Sequence, residues 1–246
     1  MRALILAGSR AETDPVATYA GVAHKALIEL GGATLLARVA DALRGAGCAD
    51  VAVCANAPEV VAEARRLGLR VLPTEAGPSA SVGRALRALG TPLLVTTADH
   101  ALLEPEWVRR FVGDVPDGAD VAVLLARRDA VERALLGAGR TYLRFADGDW
   151  SGCNLFLLRT PAAARAIELW RVVEADHKRP WRIVRRFGPG MLLRYLLGRL
   201  TLGQAVARLG RLADVHAAAV ASPFGLAAVD VDKPADLEAV RGLVSR

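Results

Sequence analysis

Three aspartates and one lysine are the residues best suited to chemistry on a phosphate. Asp99 follows the apolar run Leu93-Leu-Val-Thr-Thr97. That is the C-terminal end of a strand, where open α/β sheets place their ligands. Asp230 and Asp232 alternate along the apolar stretch at about 226–231. If that stretch is a strand, alternate side chains face one side and both carboxylates can enter one site. A carboxylate pair suits Mg2+ or Mn2+, because magnesium prefers oxygen ligands and keeps waters and phosphate oxygens around it. An aspartate at a strand end can also simply cap the next helix. Asp236, in the first turn of the last helix, reads as structural, since a carboxylate there favours the helix dipole.

The opposite charge stands near the N-terminus. The run Arg2-Ala-Leu-Ile-Leu-Ala7 ends in Gly8-Ser9-Arg10, and a polar loop leads to His24-Lys25-Ala-Leu. Glycine lets backbone N–H groups of Ala7, Gly8 and Ser9 approach a phosphate closely. Arg10 and Lys25 can then supply positive charge to the same group. Neither a dinucleotide fingerprint nor a Walker loop fits, because Gly8 lacks the following glycines and Lys25 precedes Ala26. Two further loops matter. Gly152 permits close approach, and Asn154 can both donate and accept hydrogen bonds. In Gly77-Pro78-Ser79-Ala80-Ser81-Val82, either serine suits a helix N-cap.

Apolar runs alternate with helical patterns, which predicts a three-layer, Rossmann-like α/β fold on a mostly parallel mixed sheet. Strands are expected near 2–7, 50–55, 70–72, 92–97, 119–126, 141–145, 153–158, 216–221 and 226–231. Helices are expected near 34–45, from Pro58, and at 81–89, 104–112, 161–175 and 234–244. The segment 147–152 reads as a loop. One domain over residues 1–246, with a helical insert at about 176–213, accounts for the pattern.

At 53 % hydrophobic residues the chain can fill a core, and no apolar run is long enough to span a membrane. The first apolar run has neither a basic leader nor a cleavage site, so a cytoplasmic protein is expected. Cys48, Cys54 and Cys153 show no metal spacing and read as buried thiols. The net charge of +6 suits a polyphosphate substrate, nucleic acid or an anionic membrane.

The insert concentrates that charge. From His177 to Ala213 there is no acid, against nine basic residues including Arg182, Arg185, Arg186, Arg194 and Arg199. Large apolar residues, among them Trp181, Leu192, Leu193, Tyr195 and Leu196, are interleaved with them. The stretch reads either as a packed lid with solvated arginines or as a basic amphipathic surface for an anionic acceptor or lipid headgroups. It carries no recognised nucleic-acid-binding motif, so nucleic acid is not an expected partner.

Leu-Ala-Gly, a loop with arginine, and His-Lys-Ala-Leu with Gly-Gly together resemble the MobA-like NTP transferase family. The resemblance implies a nucleotidyltransferase fold of the GT-A-like kind. It further implies that the loop at Gly8 wraps the triphosphate of an NTP substrate, that Lys25 contacts it, and that Asp99 binds the bridging metal. The Asp-x-Asp-x-Pro-x-Asp-Leu ending from Asp230 is similar to that of the wider superfamily, where one aspartate completes magnesium coordination; Asp232 is preferred and Asp230 second. The superfamily also implies that the strand entry at Gly152 and Asn154 helps hold the acceptor. The stretch from Gly77 to Val82 resembles the cytidylyltransferases of isoprenoid precursors, which implies pyrimidine contact through Gly77 and Ser81.

The expected reaction is therefore magnesium-dependent transfer of NMP, with CTP favoured, to a phosphorylated small molecule. The alternatives are guanylyl transfer of the molybdenum-cofactor type, a GT-A-like glycosyltransferase, or a non-catalytic nucleotide-binding module at a membrane. The sequence lacks the richer glycine loop of molybdenum-cofactor enzymes, and the Asp-x-Asp at Asp230–Asp232 stands near the C-terminus, which favours nucleotidyl over glycosyl transfer. The oligomeric state is open.

Overall fold

The computed structural model describes residues 1–9, 14–135, 139–176 and 188–244. Arg10 and the 177–187 part of the insert, with Arg182, Arg185 and Arg186, lie outside these residues.

The sheet is built on β1 (Arg2–Leu6), whose Ala3, Leu4 and Ile5 are fully buried. A strand apolar on both faces must be covered on both faces, which is the environment of a central parallel strand. β1 pairs in parallel with β4 (Asp50–Cys54) and with β6 (Leu93–Thr97). β5 (Arg70–Leu72) extends this half, again in parallel. The other half holds β7 (Val121–Arg127) and β10 (Ala217–Ser222), parallel to each other. The long β9 (Gly148–Leu158) joins the halves and runs antiparallel to both β6 and β7. The order is β10-β7-β9-β6-β1-β4-β5, with β8 (Leu143–Phe145) hairpinned onto β9. A small ribbon, β2 (Glu29–Leu30) and β3 (Ala33–Thr34), stands apart.

Helices cover both faces. α2 (Leu35–Gly45) starts at Thr34, whose hydroxyl accepts from Ala37 N–H, and buries seven of its eleven residues. α3 (Pro58–Arg66) and α5 (Pro105–Asp114) open on proline, whose fixed φ suits the first helical turn. On the opposite face α4 (Pro78–Leu89) packs against α7 (Ala163–Ala175) through Val82, Leu86 and Ile167. The insert contributes α8 (Pro189–Leu196) and α9 (Leu202–Leu212), the latter with a complete Thr201–Gln204 capping box. α10 (Pro234–Val244) closes the chain. The mostly parallel mixed α/β architecture is the one expected.

Several local expectations need correction. α4 begins at Pro78 rather than at residue 81, because proline occupies the first turn and Gly77 takes the cap position. The expected 147–152 loop belongs to β9 from Gly148 onward, with Asp147 in the tight turn after β8. The expected last strand is a 3-10 turn (Gly225–Ala228) followed by extended chain. That chain lies across the strand ends and bonds there, Val231 N–H to Asp99 C=O at 3.1 Å. Two short helices were not anticipated, α1 (Pro15–Ala20) and α6 (Arg128–Ala134).

Candidate active site

β1, β4 and β6 end together, and two backbone bonds carry the ladder one step further: Ala7 N–H to Cys54 C=O at 2.9 Å and Ala98 N–H to Leu6 C=O at 3.0 Å. The chain then leaves the sheet at Gly8 and at Asp99. Ala7 is buried and Gly8 and Ser9 are exposed. A Cβ on Gly8 would stand 3.0 Å from the Thr74 methyl, so the glycine keeps this wall close. Asn56 fixes the loop by accepting from Ser9 N–H at 3.1 Å.

Lys25 is aimed by a one-turn 3-10 helix (Lys25–Leu27). His24 caps it, with Nδ1 accepting from Ala26 N–H at 3.0 Å. Burial and the Lys25 charge hold the His24 pKa low against the pull of Asp14 and Asp99, which keeps Nδ1 an acceptor. The Lys25 ammonium donates to Asp99 Oδ2 and stands 3.5 Å from Asp232 Oδ1. Burial opposes its charge, but Asp99 and then Asp232 outweigh that and raise its pKa. Lys25, Asp99 and Asp232 therefore form one cluster from three distant parts of the chain. Asp232 is held from behind, because Asp236 accepts from the backbone N–H groups of both Asp232 and Lys233. Asp236 is structural, as expected.

Asp230 is not brought to this cluster. Its carboxylate is buried, ion-paired to Arg140 and accepting from Asn154 Nδ2 at 2.5 Å. Asn154 sits at the irregularity between β9 and β7 with φ at 47°, a conformation uncommon for any residue but glycine. Strain of this kind persists where surrounding bonds over-determine it. Arg140 and its pairing carried no sequence signal, because nothing in their spacing links residues so far apart.

Lys25 lines one hollow and Asp232 another, and the two side chains stand 3.5 Å apart. The larger, about 690 Å3, runs from Gly8, Ser9 and Lys25 past Asn56 to Gly77 and Ser81, and Asp99 lines it. The smaller, about 330 Å3, is polar and takes in Arg140, Ser151, Gly152, Asn154, Asp232 and Lys233. Ser81 is buried. Its hydroxyl donates to Gly77 C=O and accepts from Glu75 N–H, both at 2.9 Å. Behind Gly77, Glu174 of α7 accepts from Ser79 N–H at 3.2 Å and from the Ser79 hydroxyl.

Could these residues hold a magnesium ion? Asp99 Oδ1 is buried with no hydrogen-bond partner, while Asp232 is half exposed beside it. Two hard carboxylates, one oxygen of which is unsatisfied, fit a magnesium ion. Among the described residues no group of three His, Cys, Asp or Glu is arranged to hold a metal. Any remaining ligands would then be phosphate oxygens and water, as magnesium ordinarily prefers.

Residues 3–178 match the model of the MobA-like NTP transferase domain, well over half of the chain. The chain belongs to the MobA-like NTP transferase family. That match takes in Gly8, Lys25 and Asp99, while Asp230 and Asp232 lie beyond it. A hypothetical transferase from Thermus thermophilus is 33% identical, with 96% of this chain and 100% of that one aligned at a TM-score of 0.82. Phosphoenolpyruvate guanylyltransferase of Rubrobacter xylanophilus is 37% identical over 134 residues, 52% of this chain and 55% of that one. The chain thus spans about half the length of that curated relative. The 2-C-methyl-D-erythritol 4-phosphate cytidylyltransferase of Thermus thermophilus shares the fold at 18% identity, covering 100% of this chain and 98% of that one with a TM-score of 0.57. Family and fold are those of nucleotidyltransferases.

Proposed function

We propose that this MobA-like protein is a magnesium-dependent enzyme that moves a nucleoside monophosphate from an NTP to a phosphorylated small molecule, working as a single domain over residues 1–246. The observation that carries the reading is the Lys25 ammonium between Asp99, which lines the larger hollow, and Asp232, which lines the smaller. The larger hollow takes the NTP, its phosphates along the Gly8–Ser9 backbone. Arg10 is proposed to join them there. Asp99 and Asp232 are the residues that would hold magnesium, which when bound neutralises charge on the phosphate oxygens.

The acceptor belongs in the polar hollow. Arg140 and Lys233 supply cationic donors for its anionic group, and Gly152 leaves room for close approach. An acceptor oxygen attacks the α-phosphorus in line; its bond forms as the bond to pyrophosphate breaks. Negative charge grows on the leaving group, and Lys25 is the side chain poised to meet it. Such catalysis is mainly positioning plus electrostatics.

We favour GTP as the donor over CTP. The pyrimidine reading leaned on Ser81, whose hydroxyl already bonds Gly77 and Glu75. The similarity to a guanylyltransferase supports the purine. Pyrophosphate release should be measured with each of the four NTPs against a panel of phosphorylated acceptors, phosphoenolpyruvate included, with magnesium. GTP-dependent release with one acceptor is the expected result. Preference for CTP would reinstate the pyrimidine donor, and no magnesium-dependent NTP binding by calorimetry would overturn the whole reading.

A further inference from the structure

α8 presents an apolar face that nothing in the described structure covers. Leu192, Leu193, Leu196 and Leu197 are 36%, 57%, 71% and 57% exposed. Tyr195 is 38% exposed, its ring edge-on to Phe145 of β8, so the helix is anchored on its other side. Only Tyr19 and Leu143 are comparably exposed large apolar residues among those described, so this face concentrates most of that surface in one stretch. At 100° per residue the four leucines cover an arc of about 140°, a continuous stripe rather than scattered positions. A soluble monomer rarely leaves such a patch to water.

The charges around the stripe select its partner. Arg194 and Arg199 are both exposed, Arg194 donating to Gln204 of α9 at 3.1 Å, and Arg211 is exposed on α9. From Gly188 to Ala213 there is no acidic residue. A second copy docked on this face would set arginine against arginine across a two-fold interface. A surface that is anionic above and apolar below satisfies both parts of the face, with leucines below the headgroups, arginines among them and tyrosine at the boundary.

We propose that α8 is a membrane-docking face that seats the protein on an anionic lipid bilayer. The site at Lys25, Asp99 and Asp232 contributes no residue to it, so the inference stands or falls separately from the reaction. No helix among the described residues is long and apolar enough to cross a membrane, and docking here means lying on the surface.

Cosedimentation of the full chain with vesicles tests this. Vesicles containing phosphatidylglycerol should carry the protein down at low salt, with much less pelleting at 0.5 M salt or with pure phosphatidylcholine. Arg194→Gln with Arg199→Gln should weaken partitioning roughly tenfold or more, since each basic residue near an anionic surface contributes a severalfold gain. Leu193→Ser, Leu196→Ser and Leu197→Ser together should abolish pelleting, with the melting temperature and nucleotide binding unchanged. The substituted residues are already exposed, so folding should survive the changes. Wild-type protein that stays in the supernatant with anionic vesicles overturns the proposal. So does a concentration-dependent dimer, seen by sedimentation velocity, that the leucine substitutions dissolve.

Discussion

Asp99→Asn separates a functional carboxylate from a structural one. The side chain keeps its shape and loses its charge. In the free protein, two features limit the cost. Lys25 loses its nearer partner, but Asp232 remains 3.5 Å away and Lys25 is 26% exposed, so its charge is not stranded. At the same time the other oxygen of this buried carboxylate has no hydrogen-bond partner to lose. Removing one partner of a fully buried pair costs about 3–5 kcal/mol, whereas an exposed pair contributes about 0–1 kcal/mol, and Lys25 keeps both solvent access and Asp232. The net change in stability should therefore be within about 1 kcal/mol. Turnover should fall much further. Loss of one pre-set electrostatic contact in a closed site is worth on the order of 10²–10³ in rate, or roughly 3–4 kcal/mol. The assays are thermal unfolding without ligands and titration of NTP with magnesium and again with EDTA. The difference between the two titrations should collapse in the variant. A variant that keeps its magnesium-dependent binding, or that loses several kcal/mol of stability with normal turnover, would refute the argument.

Two further outcomes concern the frame around the site. His100 is fully buried, and burial lowers its pKa to about 4 from an ordinary 6.5. The unfolded chain then binds the proton more readily, so stability is full above about 6.5 and is lost as pH falls towards 4. Between pH 7 and pH 5 the loss should be about 2 kcal/mol, read from urea midpoints, and His100→Gln should flatten that slope. Gly225→Ala should be costly, because a Cβ there would stand 2.0 Å from the Ala130 carbonyl oxygen and neither backbone can yield cheaply. A loss of roughly 2–3 kcal/mol, seen as a fall in melting temperature of about 5–10 °C, is expected; an unchanged melting temperature would show that the 3-10 turn shifts freely against α6.

The parts of the site that were legible in the sequence are those announced by local pattern. Gly8 and Asp99 each end an apolar run, and the strand-end rule places both at one edge of the sheet before any pairing is known. Lys25 was legible as a phosphate cation and Asp232 as a strand-borne carboxylate, but only the family resemblance put them in one site, since nothing local ties residues so far apart. What escaped depended on pairing. Asp230 and Asp232 share a spacing, yet one turns to Arg140 and Asn154 and the other to Lys25. The apolar stretch before them looked like a strand because its composition is right for one. It instead packs Gly225 against α6, where no ladder is available to it. α1 and α6 were missed because helices of six and seven residues show too few turns for a periodic pattern. Ser81 fitted an N-cap by type, but Pro78 starts the helix earlier and leaves the serine inside its first turns.

The bond from Val231 N–H to Asp99 C=O ties the last stretch of chain to the end of a central strand. It has a consequence for the order of events during synthesis. The glycine loop and Lys25 leave the ribosome ahead of Asp99, which follows with the strand that carries it. Asp232 follows only after β9 and β10 have been made. On the proposed reading, a nascent chain held back short of that point has the loop proposed for the triphosphate but only one of the two carboxylates proposed for magnesium. On that reading, catalytic competence is acquired in one step, when Asp232 joins, and a chain cut before that residue should bind nucleotide without turning it over.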